Sequence, residues 1–360
     1  MQSTVVVVGG GYGGIAAAKA LDDVADVVLV EARDRFVHNV AALRGLVDPQ
    51  WTDQLFLPYD RLLEHGMVVR DRAVHVDTGG VTLRSGQHLP ADYIVLATGS
   101  GYPFPAKVDV DDSSTAKGKI HVTREALEQA GSVLLLGAGP VGLELAGEIR
   151  AAAPDKHITV VDPADDVLSG GFTAELREEL RRQLNELGIE LLLGTSLLEQ
   201  PPSEPGTAKT FTAATSSGHE VTADVWFRCF GVSPTSDYLA GELAGARQAG
   251  GQVEVTPALR LPGQRHVFAI GDITAVPEAK MAKYAGEHAE VAAANIRALI
   301  TGGGELTHYE PSAPGIALPL GPAGGASYAE GMGFFGPAET AEMKGADLFV
   351  DRFAELLGLR

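Results

Sequence analysis

The chain has 360 residues, 45% of them hydrophobic and 21% charged, enough for two or three domains with substantial cores. Its formal net charge of −19 argues against a nucleic-acid partner, which needs clustered Lys and Arg, and against adsorption to anionic lipid. A single cysteine, Cys229, excludes a disulfide framework, a Cys-based zinc site and a CxxC redox pair within one chain, and no metal centre is expected.

In chain order, the opening MQSTVVVVGGG lacks the basic flank and cleavage site of a secretory signal, and no apolar run is long enough to span a bilayer. A cytoplasmic protein is expected. A buried strand, 4-TVVVV-8, leads into glycines. A small-residue helix follows over 15–21, then a strand that ends at Glu31. Gly9, Gly11 and Gly14 stand in GxGxxG spacing inside this βαβ unit. One glycine makes the turn, one lets the backbone approach a pyrophosphate, and one lets the helix pack on the strand. Glu31 is placed to accept from a ribose hydroxyl. Residues 132–162 repeat the unit, with Gly137, Gly139 and Gly142 in the same spacing and Asp162 at the end of the strand 158-ITVVD-162.

A second repeat runs in the same order. Residues 85-SGQHLPADYIVLATG-99 align without gaps to 217-SGHEVTADVWFRCFG-231 at an offset of 132, against 128 between the glycine motifs. Each copy reads as a polar turn followed by an apolar strand that ends in glycine, Gly99 or Gly231. Two copies of one domain follow, each a βαβ unit, an antiparallel meander and a returning strand. The fold class is α/β, with two Rossmann-like dinucleotide-binding domains and a small C-terminal segment. Residues 1–115 with 243–305 form one domain, 116–242 the other, and 306–360 the last segment. Residues 253–273 are expected to form a strand, a turn and a further strand, followed by a helix over 280–299. Residues 307–337 are candidate strands, and 338–357 read as one amphipathic helix.

Two dinucleotide domains in one chain imply two cofactors that exchange a hydride, a nicotinamide and a flavin. The residues 9-GGGYGGIAAA-18, 36-FVHNVAALR-44, 94-IVLATGS-100, 103-PFPAK-107, 268-FAIGD-272, 280-KMA-282, 285-AGEHAEVAAANI-296 and 347-DLFV-350 make the resemblance specific. Over nearly its whole length the chain resembles the two-dinucleotide-domain, glutathione-reductase-like flavoproteins. Among these it is similar to the ferroptosis suppressor group of NAD(P)H:quinone oxidoreductases, also called apoptosis-inducing-factor-like mitochondrion-associated type 2.

The resemblance implies that FAD lies on Gly9, Gly10, Gly11, Tyr12, Gly13 and Gly14, with Glu31 at its ribose. Asn39, Arg44, Val68, Ala97, Thr98, Gly99 and Lys107 match positions that contact FAD, and Gly271 and Asp272 reach its ribityl chain. His38 is either beside the flavin or merely packed. The helix near Lys280, Met281 and Ala282 would aim its N–H groups at the flavin's pyrimidine end and stabilise negative charge there. The second motif, with Glu144 and Gly231, would hold the nicotinamide dinucleotide. Asp162 accepts from the 2′-hydroxyl of NADH and repels the 2′-phosphate of NADPH, so NADH is expected. Lys344 matches a lysine near the flavin and is the catalytic candidate.

Without a CxxC pair the electrons need another acceptor, and the resemblance implies a quinone. Residues 316–321 and the face of 348–357 are expected to line an apolar channel. Two other readings compete: a reductase of a small iron–sulfur carrier, and an apoptosis-inducing-factor-like module that senses NADH. A homodimer is compatible with the tail. Membrane contact through the tail is disfavoured, because its face is not basic.

Overall fold

The computed structural model describes residues 2–360. The first sheet is built from β1 (Thr4–Val8), β2 (Asp26–Glu31), β3 (Met67–Arg70) and β4 (Tyr93–Leu96). The helix α1 (Tyr12–Leu21) crosses from β1 to β2. The second sheet is built from β5 (Ser132–Leu136), β6 (His157–Asp162), β7 (Ile189–Leu193) and β8 (Val225–Arg228). Here α2 (Pro140–Ala152) makes the equivalent crossing. A late strand, β9 (Val267–Ala269), returns to the first sheet, and α3 (Ala282–Thr301) follows it.

The strand orders are β9-β4-β1-β2-β3 and β7-β6-β5-β8, and every pairing in them is parallel. The two sheets therefore match strand for strand, apart from the added β9. Nearly continuous Val, Ile and Leu runs give the central strands two buried faces, as a parallel sheet requires, while the edge strands β3 and β7 stay partly exposed. The duplication reaches single hydrogen bonds. Asp92 accepts from the N–H of Thr4 at the head of β1, and Asp224 accepts from the N–H of Ser132 at the head of β5. A three-stranded antiparallel meander, with 80–82 paired to 88–90, precedes the returning strand in one copy, and in the other the expected meander is reduced to a two-stranded hairpin, 211–214 paired to 220–223. The two chain crossings between the halves, Ser100–Gly101 and Ser233–Pro234, pair with each other.

The C-terminal segment straddles both halves. An antiparallel sheet, β10 (Gly315–Leu320), β11 (Gly324–Ala329) and β12 (Gly333–Phe335), follows α3. Its Leu318, Leu320 and Ala326 bury in the core around β5 and α2. The last helix, α4 (Val350–Leu356), with the Leu357 that follows it, buries Phe353 and Leu357 against Ile15, Leu21 and Phe36 of the first domain.

Four further expectations need correction. Residues 253–261 form only isolated bridges, and β9 alone is a regular strand. The helix α3 starts at Ala282, so Lys280 and Met281 lie just before it. The tail is not one helix. A short turn at Pro337–Thr340 passes into a π-turn at Ala341–Gly345, then Leu348 and Phe349 take left-handed φ of 50° and 64° before α4 begins. The carbonyls of Gly345 and Ala346 accept from Arg44 and that of Leu348 pairs with His38, so they do not serve a continuous helix. The expected channel is corrected too. Its apolar faces are mostly spent on three separate clusters, and among its apolar residues Ile316, Ala317, Phe349 and Leu356 keep partial exposure.

Candidate functional site

The two glycine motifs divide their labour as the spacing predicts. Gly9 has φ +104°, and a Cβ there would meet the Ala97 carbonyl oxygen at 2.5 Å and the Thr98 Cα at 2.8 Å. A Cβ on Gly14 would lie 1.8 Å from the Gly9 carbonyl oxygen. A Cβ on Gly11 would meet nothing within 4 Å. In the second copy Gly137 has φ +115°, Gly142 would meet the Gly137 oxygen at 1.9 Å, and Gly139 again faces open space. Cys229 is the counterpart of Ala97, packed where Gly137 and Gly142 leave room. It is a small core residue, and burial pushes its thiol up to about 12.

Gly11 and Gly139 are the N-caps of α1 and α2, and neither helix has a side-chain cap. The first-turn N–H groups therefore point into open space at a positive dipole end, which suits a pyrophosphate. The acids are anchored alike. Glu31 Oε2 accepts from the Gly10 N–H at 2.6 Å, and Asp162 Oδ2 accepts from the Ala138 N–H at 2.6 Å. The other oxygens take the N–H groups of Arg33 and Ala164. Tyr59, which no motif marked, donates to the Gly10 carbonyl at 2.8 Å. The donor sets and open cradles fit two dinucleotides.

Between the two cradles, Asp272 follows Gly271, whose φ is +72°. Ser100 and Lys107 both donate to Asp272 Oδ2, at 2.6 and 3.0 Å. Oδ1 faces no donor among the described residues. Thr98 Oγ1 donates to the Thr235 carbonyl, and Thr235 N–H donates to the carbonyl of Gly99, so the 97–99 turn is tied to the second crossing. Gly231 sits at the matching turn with φ +106°. Val68 is central in β3, half-buried. Lys280 donates to the Val276 carbonyl, and burial lowers its pKa. Met281 caps α3 without a side-chain bond, so the N–H groups that begin at Ala282 are uncapped.

The HNVAALR segment does something the sequence did not show. His38 is fully buried, packed among Tyr12, Phe36 and Phe353. Its Nε2 is 2.7 Å from the Leu348 carbonyl and its Nδ1 is 3.3 Å from the Tyr12 hydroxyl. Val40 N–H in turn donates to that hydroxyl. Burial holds the imidazole neutral, with its pKa pushed down to about 4. Asn39 accepts weakly from Val108 N–H at 3.4 Å and caps no helix.

Arg44 departs from the expected cofactor contact. Its guanidinium is 4% exposed and grips both oxygens of Glu148 on α2, with Nη2 to Oε1 at 2.7 Å. Nη1 donates to the Gly345 carbonyl at 2.6 Å, and the Trp51 ring lies beneath at 4.9 Å. A buried cation must be paired, and this one joins the first domain, the second and the tail. Four residues before Glu148, Glu144 accepts from Lys344 Nζ at 2.8 Å. Lys344 also reaches the Ala317 carbonyl at 3.2 Å. Burial raises the Glu144 pKa and Lys344 pulls it back. Two candidates from motifs 200 residues apart thus form one pair. Glu148 was missed, although its i+4 spacing from Glu144 put it on the same helix face.

Residues 3–295 match the family model described as pyridine nucleotide-disulphide oxidoreductase. The chain belongs to that family. It is a flavoprotein oxidoreductase that uses FAD and a nicotinamide dinucleotide. Ferroptosis suppressor protein 1 of Taeniopygia guttata is 32% identical to this oxidoreductase over 98% of the chain and 95% of the relative. The NAD-dependent persulfide reductase from A. fulgidus superposes with a TM-score of 0.70 at 22% identity, covering 87% of this chain and 61% of that longer one. The sulfide:quinone oxidoreductase from Aquifex aeolicus superposes with a TM-score of 0.66 at 20% identity, covering 83% and 77%. At these identities the structural likenesses establish the fold. Despite its family's name, this oxidoreductase carries one buried cysteine and no redox disulfide of its own.

Proposed function

We propose that this oxidoreductase takes a hydride from NADH and delivers the electrons to a quinone-type acceptor. The observation that carries the reading is the full-length similarity to ferroptosis suppressor protein 1 in a chain whose only thiol is buried. When bound, FAD supplies the redox chemistry, taking a hydride from the nicotinamide and passing electrons on. The chain's own residues bind and orient. The uncapped N-termini of α1 and α2 would hold the two pyrophosphates, Glu31 and Asp162 would take the ribose hydroxyls, and Asp272 would accept from the ribityl chain. Quinone reduction consumes protons, and Lys344 Nζ, 14% exposed beside Glu144, is a proton-bearing group at the junction of the halves. Ile316 and Ala317, and Met343 next to Lys344, leave apolar surface around that pair.

Asp162 sets the nucleotide preference. Steady-state turnover with a short-chain quinone should favour NADH over NADPH in kcat/KM by about tenfold or more, the scale of one lost polar contact at a partly exposed site. Asp162→Ala should narrow that ratio. A preference for NADPH in the wild type contradicts the assignment. Rapid turnover of a small iron–sulfur carrier with quinone inert would replace the acceptor while leaving the two nucleotide sites in place.

A further inference from the structure

A second buried polar cluster lies behind the Gly271–Asp272 turn, outside the groups already given roles. The β9 ladder ends when Ile270 N–H donates to the Leu96 carbonyl. Gly271 then turns left-handed, and its N–H points inward with no strand partner. A buried backbone donor must find an acceptor. It finds His288, on the buried face of α3, whose Nδ1 accepts at 3.0 Å. An imidazole that accepts at Nδ1 and is neutral carries its proton on Nε2. Burial keeps this ring neutral, with its pKa lowered to about 4. Nε2 lies 2.8 Å from Glu278 Oε1, off the line of a straight hydrogen bond. Tyr309 donates to Glu278 Oε2 at 2.6 Å and stands edge-on to the His288 ring at 4.3 Å. Glu278 and His288 side chains are 3% and 1% exposed.

We propose that His288 is a positioning residue for the flavin: by accepting the Gly271 N–H, with Glu278 and Tyr309 packed against its ring, it sets the turn that aims the Asp272 carboxylate at the ribityl hydroxyls. The inference rests on FAD occupying the first cradle. Ser100 and Lys107 fix Asp272 from the front through Oδ2, and His288 fixes the Ile270–Gly271 peptide, one link before it, from behind. A carboxylate held from both sides needs no reordering when the ligand arrives, which is where preorganised affinity comes from. Glu278 acts through His288 and touches no cofactor.

The test is FAD affinity of the full chain, read from flavin fluorescence quenching, with circular dichroism as the check on folding. His288→Leu strands the Gly271 donor and should weaken FAD about tenfold or more. His288→Gln should stay within about threefold of wild type, because its Oε1 reaches the same N–H. His288→Asn is too short to reach it and should resemble Leu. Glu278→Ala should weaken FAD in the wild-type background and add nothing in the His288→Leu background. Wild-type affinity in His288→Leu overturns the proposal. So does equal weakness of the Gln and Asn variants, a comparison that stands even if Leu fails to fold. A wild-type chain that does not quench FAD instead sinks the cofactor assignment itself.

Discussion

His38 and Asp162 show what a single side chain contributes here. His38 is held neutral between the Tyr12 hydroxyl and the Leu348 carbonyl. Its folded pKa of about 4 lies below the ordinary value of 6.5. The unfolded chain therefore binds the extra proton first as pH falls. The stabilising contribution is complete above 6.5 and is lost as pH drops through the window from 6.5 to about 4. Between pH 7 and 5.5 the loss is about 1 kcal/mol. Urea denaturation at the two pH values should show it, and His38→Gln should shrink the difference. An unchanged difference would mean the ring is not held neutral. The sequence marked His38 as a polar oddity but left its role open, because its acceptor lies 310 residues away. Asp162 was legible, since a carboxylate at the end of a strand after GxGxxG needs only local spacing. Arg44 was not: the resemblance pointed to a cofactor, and its partner Glu148 lies 104 residues on.

At the level of elements, the strand–glycine–helix unit makes two glycines separable. A Cβ on Gly14 collides with the Gly9 carbonyl, so Gly14→Ala must push α1 off β1. It should destabilise the chain by about 1–3 kcal/mol, the usual cost of overpacking. A Cβ on Gly11 meets open space, and its φ of −76° suits any residue. Gly11→Ala should therefore keep its stability while FAD affinity falls, because the methyl stands where the pyrophosphate approaches. Thermal melts with flavin binding on both variants check this, and equal melts would contradict the packing role of Gly14. The βαβ units and the first meander were legible because their signals are periodic and local. The tail helix was misread. Its apolar spacing is helical, but the Gly345 and Leu348 carbonyls answer Arg44 and His38, and those demands come from other elements.

Across the whole molecule, the tail closes the fold by giving its sheet to one core and its last helix to the other. Arg44 stands at that junction. Removing one partner leaves a buried charge alone, so Arg44→Met should cost about 3–5 kcal/mol. The double variant Arg44→Met/Glu148→Met should recover most of that loss. Additive losses in denaturant unfolding would show that the pair carries no coupling. The domain duplication was legible from two repeats in one order, while the seating of the tail was not, because nothing in 306–360 states which core each part fills.

The measurement that tests the account most directly is a rapid-mixing absorbance trace of the purified flavoprotein, first with NADH and then with a short-chain quinone. Fast bleaching of the flavin band by NADH and fast recovery on adding quinone are expected. A flavin that bleaches but stays reduced in quinone would contradict the proposed acceptor, and a flavin that NADH leaves untouched would contradict the pairing of the two nucleotide sites.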